Sequence, residues 1–245
     1  MRNDFLQTIE TIPEGRGFPL FGKLHLIWLL VFVLMAVGCS IWYRKLGQDS
    51  RRRWRRIVAA LMIADELFKI IVLVIGHNYN FTYLPLHLCS INIFLILWHA
   101  IKPNRLLGNF LYTVCIPGAM AALLFPSWSS LPITSGMHIH SFTVHILLAL
   151  YPIVLTAAGE IRPTLRQLPL CLGLLAVLAA FAYGVNVLLD TNFMFLMYAE
   201  EGNPLAWFGA NWGSHLLGFP VIMAGVILVM YLPIVLCRRG KKVNQ

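Results

Sequence analysis

The chain has 245 residues, of which 59% are hydrophobic and only 12% are charged. Soluble domains carry about 25% charged residues, so this composition excludes an ordinary soluble protein. A formal charge of +9 would fit a nucleic-acid-binding protein, but the basic residues here lie in short clusters between long apolar segments. The composition therefore predicts a protein that crosses a membrane several times.

Seven apolar stretches follow one another along the chain, and each is about 20 residues long, enough to cross a bilayer core. They cover residues 24–43, 57–76, 83–101, 106–125, 137–158, 167–189 and 213–236. A segment surrounded by lipid must satisfy its own backbone hydrogen bonds, so each stretch is expected to be helical. The sequence thus predicts an all-α integral membrane protein: one seven-transmembrane-helix domain, 24–236, between a polar N-terminal segment, 1–23, and a basic tail, 237–245.

The connecting segments alternate in charge. Seven basic residues lie between Arg44 and Arg56, and others follow the third, fifth and seventh stretches, whereas 77–82, 126–136 and 190–212 contain no Lys or Arg. Because positively charged loops stay in the cytoplasm, the N-terminus is expected outside and the C-terminus in the cytoplasm. The run RRRWRR at 51–56 could bind nucleic acid, but its place beside a predicted span favours contact with anionic lipid. No nucleic-acid partner is predicted.

The second stretch contains DELFK, residues 65–69, near the middle of the membrane. Asp65 and Lys69 are four residues apart and are expected to pair, whereas Glu66 faces another direction. Charged residues inside a membrane are costly, so these three are candidates for function, with a structural ion pair as the alternative.

The third stretch begins YLPLHLCSIN, residues 83–92. If it is helical from Tyr83, Cys89 lies roughly 9 Å below the outer surface and shares a face with Asn92. His87, two residues from Cys89, would point elsewhere and would be a poor base for the thiol. A cysteine in such a place is either a small hydrophobic packing group or a nucleophile.

The fifth stretch contains His138, Ser141 and His145 at helical spacing. His145 lies roughly 12 Å deep, close to the level of Cys89. An imidazole facing a thiol can remove its proton, and the thiolate is the nucleophile of cysteine catalysis. Residues expected near the same rim could orient the base, contact substrate or stabilise an oxyanion: His87, Asn92, His138, His215 and Asn192. The His-x-Cys and His-x-His pairs split across helix faces, so neither a metal nor another cofactor is predicted.

Several of these segments resemble one known family. LPLHLCSI, 84–91, is similar to the Leu-Pro-x-His-Leu-Cys motif of the YwaF family, bacterial relatives of transmembrane protein 164. HSFTVHILLALYP at 140–152, DTNFMFL at 190–196 and ELFK at 66–69 resemble further family segments, although Phe193 replaces the usual Tyr and the following Trp-Pro-aromatic element is only loosely echoed. The resemblance covers about residues 57–236. It implies a multi-pass protein of the cell membrane, which in a bacterium is the plasma membrane.

The resemblance also implies an activity. It identifies Cys89 as the nucleophile and His145 as the base of an acyltransferase or lipid thiol-hydrolase that acts on phospholipids and lysophospholipids through a thioester. Two alternatives remain open from the residues alone. One is a transporter or permease that uses Asp65, Glu66 and Lys69 as a relay, and the other is a non-catalytic membrane assembly protein. Neither alternative requires Cys89.

Overall fold

The computed structural model describes residues 4–199 and 204–243, and the regular secondary structure of these residues is entirely helical. The α-helices are α1 (Lys23–Arg44), α2 (Gln48–Ile75), α3 (Leu88–Ile101), α4 (Arg105–Phe110), α5 (Ile116–Leu124), α6 (Gly136–Ala157), α7 (Leu168–Leu189), α8 (Pro204–Trp212) and α9 (Gly218–Val243). A π-helical segment, Leu111–Cys115, joins α4 to α5. Short 3-10 helices cover Asp4–Leu6, Phe81–Tyr83, Leu165–Gln167, Phe193–Phe195 and His215–Leu217.

Within the described ranges, five helical segments are long and apolar enough to cross a membrane: Lys23–Arg44, Arg105–Leu124, Gly136–Ala157, Leu165–Leu189 and His215–Leu232. The other two predicted stretches correspond to α2 and α3. Helix α2 carries charged residues in its apolar half, and α3 has only 14 residues. The protein is therefore all-α and crosses a membrane several times.

Helix α6 forms the centre of the fold. Most of its side chains are buried, and it packs against α1, α2, α3 and α5. Polar side chains are costly against lipid, and α6 carries three histidines and Ser141, which favours an interior position for this helix. Helices α7 and α9 instead expose large aliphatic and aromatic side chains such as Val177, Phe181 and Val229. These exposed faces are the ones suited to lipid contact.

The start of the third helix differs from the sequence prediction. The chain is extended at Leu84 and at His87, and α3 begins only at Leu88. Pro85 explains the difference, because the residue before a proline is driven away from helical geometry. Cys89 is therefore the second residue of α3, and the depth of roughly 9 Å, which assumed a helix from Tyr83, is wrong.

The described part of the N-terminal segment packs against the same end of the bundle as the start of α3. The Phe18 amide donates to Ser129 O at 2.9 Å, and Asn78 Nδ2 donates to Leu6 O at 2.8 Å. Gly17 permits this approach, because a Cβ built there would lie 2.0 Å from Ser129 O. Residues 1–3 of this segment lie outside the described residues.

The opposite end of α6 is closed by a charged network around Glu160. Glu160 Oε1 accepts hydrogen bonds from Tyr43 (2.9 Å) and Arg51 (3.4 Å), and Oε2 accepts one from Arg55 (2.5 Å). Two arginines of the RRRWRR run therefore have a structural role. The backbone of the predicted basic tail, 237–245, continues α9 to Val243, and its last two residues lie outside the described residues.

Candidate active site

A cavity of about 360 Å³ lies where α2, the start of α3 and the start of α6 meet. The segment 190–198 and residues Thr8–Glu10 of the N-terminal segment complete its wall. Its lining includes most of the polar residues selected from the sequence: Glu66, Lys69, His87, Cys89, Ser141, His145 and Asn192. Groups separated by more than one hundred residues in the chain thus line a single cavity.

Cys89 and His145 both line this cavity. The first-turn position of Cys89 in α3 places its sulfur near backbone N–H groups that have no partner within the helix. Such groups favour a nearby negative charge, whereas burial opposes it. A thiolate here therefore needs a proton acceptor in the same cavity.

The hydrogen bonds of His145 leave one ring nitrogen suited to that role. His145 Nδ1 lies 2.6 Å from the Ser141 carbonyl oxygen. A carbonyl can only accept a hydrogen bond, so Nδ1 carries the proton and Nε2 of the neutral ring has a free lone pair. Trp128 stacks on the ring with centroids 5.1 Å apart and a 14° interplanar angle. The imidazole is thus oriented and held in the tautomer that a base requires.

His87 has the opposite tautomer. Its Nδ1 accepts a hydrogen bond from the Met194 amide at 3.4 Å, so the neutral ring carries its proton on Nε2. The ring also packs edge-on against Phe193, with centroids 5.3 Å apart. The prediction that His87 turns away assumed that it is helical; because it precedes α3 and lines the cavity, that prediction is wrong.

The charged residues of α2 pair differently from the sequence prediction. Lys69 forms an ion pair with Glu66, so the expected pair of Asp65 and Lys69 is wrong. Residues three apart in a helix share a face just as residues four apart do, so both Glu66 and Asp65 were possible partners of Lys69. Both side chains of the pair are buried and line the cavity, and Glu66 Oε2 has no hydrogen-bond partner.

Asp65 faces α6 and does not line the cavity. Its Oδ1 accepts a hydrogen bond from Thr143 at 3.0 Å. Its Oδ2 lies 3.0 Å from His140 Nδ1, without the alignment of a hydrogen bond. Asp65 therefore joins α2 to α6, whereas Glu66 and Lys69 contribute to the cavity wall.

Within α6, the residues that line the cavity are Met137, His140, Ser141, Val144 and His145. His138, which the spacing grouped with His145, is absent from this wall. Its Nδ1 bonds to Leu131 O at 3.0 Å, and its Nε2 accepts from Trp28 Nε1 at 3.1 Å. Helical spacing alone did not predict the orientation of His138, because hydrogen bonds to Leu131 and Trp28 hold its ring away from the cavity. The sequence analysis did not select His140, which also lines the cavity.

Two further candidates lie outside the cavity wall. Asn92 is buried in α3, and its Oδ1 has no hydrogen-bond partner. His215 Nε2 bonds to the carbonyl oxygen of Phe195 at 3.1 Å and so supports the segment that forms the wall. Neither residue is placed to contact a substrate in this cavity.

The segment 190–198 owes its shape to two asparagines. Asn192 Oδ1 accepts from the amides of Met197 (3.0 Å) and Tyr198 (3.3 Å). Asn186, which the sequence reasoning did not select, bonds to both the amide and the carbonyl of Phe193, at 2.7 and 3.0 Å. A lone asparagine late in an apolar helix is the signal that could have identified it, because a polar group there needs a partner.

Backbone strain is concentrated in this same segment. Three non-glycine residues have positive φ angles: Asp190 (52°), Met194 (59°) and Phe195 (56°). Such conformations persist only where surrounding contacts enforce them, and they are common at functional sites. Here one of the strained residues, Met194, supplies the amide that fixes the His87 ring.

Among the described residues, no group of three or more His, Cys, Asp and Glu side chains is arranged to hold a metal ion. The ionisable groups that line the cavity include a thiol, three imidazoles, the Glu66–Lys69 ion pair and the carboxyl groups of Glu10 and Asp190. This combination is suited to nucleophilic acyl transfer, in which a deprotonated thiol attacks a carbonyl group.

The helices and the cavity together define a multi-pass membrane protein with a cavity that both Cys89 and His145 line. Comparison with known families matches residues 20–231 to the TMEM164 family, and the chain belongs to that family. The resemblance carried by LPLHLCSI and its companion segments is confirmed. A search of curated proteins found no match, and a search of solved structures found none.

Proposed function

We propose that this TMEM164-family protein is an integral-membrane acyltransferase that transfers a fatty acyl chain between phospholipid and lysophospholipid through a thioester on Cys89. The observation that carries the proposal is the shared cavity, in which His145 lines the same wall as the thiol and has Nε2 free to accept a proton. With water instead of a lysophospholipid as acceptor, the same site would act as a lipid hydrolase.

In the first half-reaction, His145 Nε2 removes the thiol proton and the Cys89 sulfur attacks an ester carbonyl carbon. A carbon–sulfur bond forms and the carbon–oxygen bond of the ester breaks. The departing glycerol oxygen takes the proton from the His145 imidazolium and leaves as the hydroxyl of a lysophospholipid. The enzyme is then a neutral acyl-thioester.

In the second half-reaction, a hydroxyl group attacks the thioester carbon. A carbon–oxygen bond forms, the carbon–sulfur bond breaks, and the proton lost by the hydroxyl restores the Cys89 thiol. No redox step occurs in either half, and the residues of the chain supply every proton transfer. The products are a new phospholipid, or a free fatty acid when water is the acceptor.

His87 is suited to stabilise the negative oxygen that develops in both halves. Its Nε2 carries the proton because Nδ1 accepts from Met194. Donors fixed in advance towards a developing oxyanion lower the barrier to acyl transfer. The two imidazoles thus have complementary roles: His145 accepts a proton through Nε2, and His87 donates a hydrogen bond through Nε2.

The membrane arrangement that we propose has seven spans: α1, α2, α3, the α4–π–α5 segment, α6, α7 and α9. The alternation of Lys and Arg between the segments supports an outside N-terminus and a cytoplasmic C-terminus in a cell membrane, a bacterial plasma membrane. In that orientation the cavity lies at the outer end of the helices. Glycerol-ester carbonyls lie at the boundary between headgroups and hydrocarbon, so a shallow cavity suits this substrate.

The test is intact-mass analysis of purified protein incubated with phospholipid, with wild type beside Cys89→Ala and His145→Ala. We expect a fatty-acyl mass increment in wild type that hydroxylamine removes and that both variants lack. Lysophospholipid release is measured in the same samples, because rapid hydrolysis could prevent the adduct from accumulating. Absence of both adduct and lysophospholipid across several lipid classes would refute the proposal.

A permease remains the competing function, and one observation favours it: the Glu66–Lys69 pair lines the cavity. A relay through these charges predicts that transport survives Cys89→Ala and fails in Glu66→Gln. The acyltransferase predicts that Cys89→Ala is inactive. The adduct experiment therefore separates the two functions.

A further inference from the structure

The RRRWRR run at the start of α2 is divided between two faces of the helix. Arg51 and Arg55 turn towards the bundle and form ion pairs there. Arg52, Arg53 and Arg56 are exposed, and no carboxylate among the described residues forms an ion pair with them. The fold therefore uses two arginines of the run for its own contacts and presents the other three at the surface.

These three arginines line an open groove of about 450 Å³ on the surface of α2. The groove is completed by Asp49, Ile57 and Ala60. Positions 49, 52, 53, 56, 57 and 60 follow one another at helical spacing, so the groove lies along a single face of the helix. With three arginines against one aspartate, its lining carries an excess of positive charge.

The same face of α2 continues as an aliphatic surface. Ile57, Leu67 and Ile71 are more than half exposed, and helical spacing places them in line with the groove. From Ile57 to its end at Ile75, α2 rises about 27 Å, close to the thickness of the hydrocarbon core of a bilayer. In the arrangement of spans proposed above, the groove therefore lies at the level of the lipid headgroups.

This combination of charge and aliphatic surface limits what the groove can bind. Guanidinium groups bind phosphate through paired hydrogen bonds. A soluble phosphate compound or a nucleic acid would leave the adjoining aliphatic surface uncovered, whereas a phospholipid covers both parts. The ammonium of a zwitterionic headgroup would add a positive charge beside the arginines, so a lipid with a net negative charge is favoured.

We infer that Arg52, Arg53 and Arg56 bind the phosphate of an anionic phospholipid whose acyl chain lies along the exposed aliphatic face of α2. The structure thus refines the expectation that RRRWRR contacts anionic lipid, because it assigns that contact to three of the five arginines. The groove shares no lining residue with the cavity that Cys89 lines, so the inference does not depend on the acyltransferase function.

The experiment is native mass spectrometry of the purified full-length protein in detergent, titrated with dioleoyl phosphatidylglycerol and, in parallel, with dioleoyl phosphatidylcholine. We expect wild type to bind phosphatidylglycerol about tenfold more tightly than phosphatidylcholine. Each arginine at an anionic lipid surface contributes a factor of about five to binding. Arg52→Gln with Arg56→Gln should therefore weaken phosphatidylglycerol binding about 25-fold, and the triple variant, with Arg53→Gln added, about 100-fold.

The matched control removes three positive charges from other segments predicted to lie on the same side of the membrane. It combines Lys102→Gln, Arg105→Gln and Arg166→Gln, all at exposed positions. This variant should bind phosphatidylglycerol as wild type does. Equal weakening in the control and in the arginine triple variant would indicate a diffuse attraction to all basic residues and would overturn the inference. Because every substituted side chain is exposed, all variants are expected to unfold at the wild-type temperature.

Glycerol phosphate distinguishes a lipid from a soluble phosphate compound. Because it has no acyl chain, it should displace phosphatidylglycerol only weakly. Displacement at concentrations equal to those of the lipid would assign the groove to a soluble compound and overturn the inference. Wild-type binding of phosphatidylglycerol by both arginine variants would place the lipid elsewhere, such as in the Cys89 cavity, with the same consequence. Equal binding of the two lipids by wild type would also contradict the inference.

Discussion

A carboxylate lies near each end of α6, and the two differ in burial and in hydrogen bonding: Glu160 is exposed, whereas Glu66 is buried. Both oxygens of Glu160 accept hydrogen bonds, from Tyr43, Arg51 and Arg55. Glu66 has one oxygen paired with Lys69, whereas its other oxygen is buried without a hydrogen-bond partner, although the residue itself lines the cavity. A fully satisfied polar network holds structure together, whereas an incomplete one leaves a costly unpaired group in the interior.

The same contrast holds for the histidines of α6. Both ring nitrogens of His138 have protein partners, Leu131 and Trp28. For His145 only Nδ1 has a hydrogen-bond partner, and the ring lines the cavity. Residue type and location within the helix are similar, so hydrogen-bond satisfaction distinguishes a packing residue from a candidate base. Substituting one residue of each compared pair at a time tests these differences.

The largest effect is expected at His145. His145→Gln removes the proton acceptor and should slow thioester formation about 10²–10⁴-fold. His138→Gln is the matched variant in the same helix, and it should lower thermal stability while keeping acylation. Single-turnover mass spectrometry gives the first result and thermal unfolding in detergent gives the second. Equal loss of acylation in both variants, with both folded, would contradict the distinction.

A smaller loss is expected when the proton donor at His87 is removed. His87→Phe should slow acylation about 10²-fold, because it deletes the Nε2 proton that we propose stabilises the developing oxyanion. His87→Gln keeps a side-chain N–H and should recover part of the rate. Acylation rates of the two variants are compared at saturating phospholipid. No difference between Phe and Gln would mean that His87 has only a packing role.

The network around Glu160 should affect stability and leave chemistry unchanged. Glu160→Gln weakens three hydrogen bonds at once and is expected to lower the free energy of unfolding by about 1–3 kcal/mol. Thermal or denaturant unfolding in detergent measures the change, and Glu14→Gln, at an exposed position, is the control. A large fall in acylation in folded Glu160→Gln would show that this end of the bundle participates in catalysis.

The smallest effect is expected at Trp128. Trp128→Phe keeps an aromatic ring over His145 but reduces the stacked area, and aromatic pairs of this kind contribute about 0.5–1.5 kcal/mol. Acylation should therefore slow by less than about tenfold. Trp128→Ala should slow it further. If both variants act at the wild-type rate, stacking does not position the base.

Much of the candidate site could be predicted from the sequence, and apart from the start of α3, which Pro85 explains, the errors share one cause. Cys89, His145 and Glu66 were selected because polar and ionisable side chains are costly inside apolar helices and therefore indicate a function. All three line the cavity. The assignments that failed concerned direction. Lys69 turned to Glu66 instead of Asp65, and His138 bonded to α1 and a loop, because spacing limits which groups can meet without choosing between them.

The sequence by itself determined that the protein is helical and crosses a membrane, because long apolar segments have no other stable form in lipid. It also determined which residues were candidates for chemistry. Only the tertiary structure decided which ring nitrogen of each histidine is free and which carboxylate oxygen lacks a partner. These properties depend on groups distant in the chain, such as Met194 for His87. No local pattern specifies such contacts, because packing of the whole bundle brings the groups together.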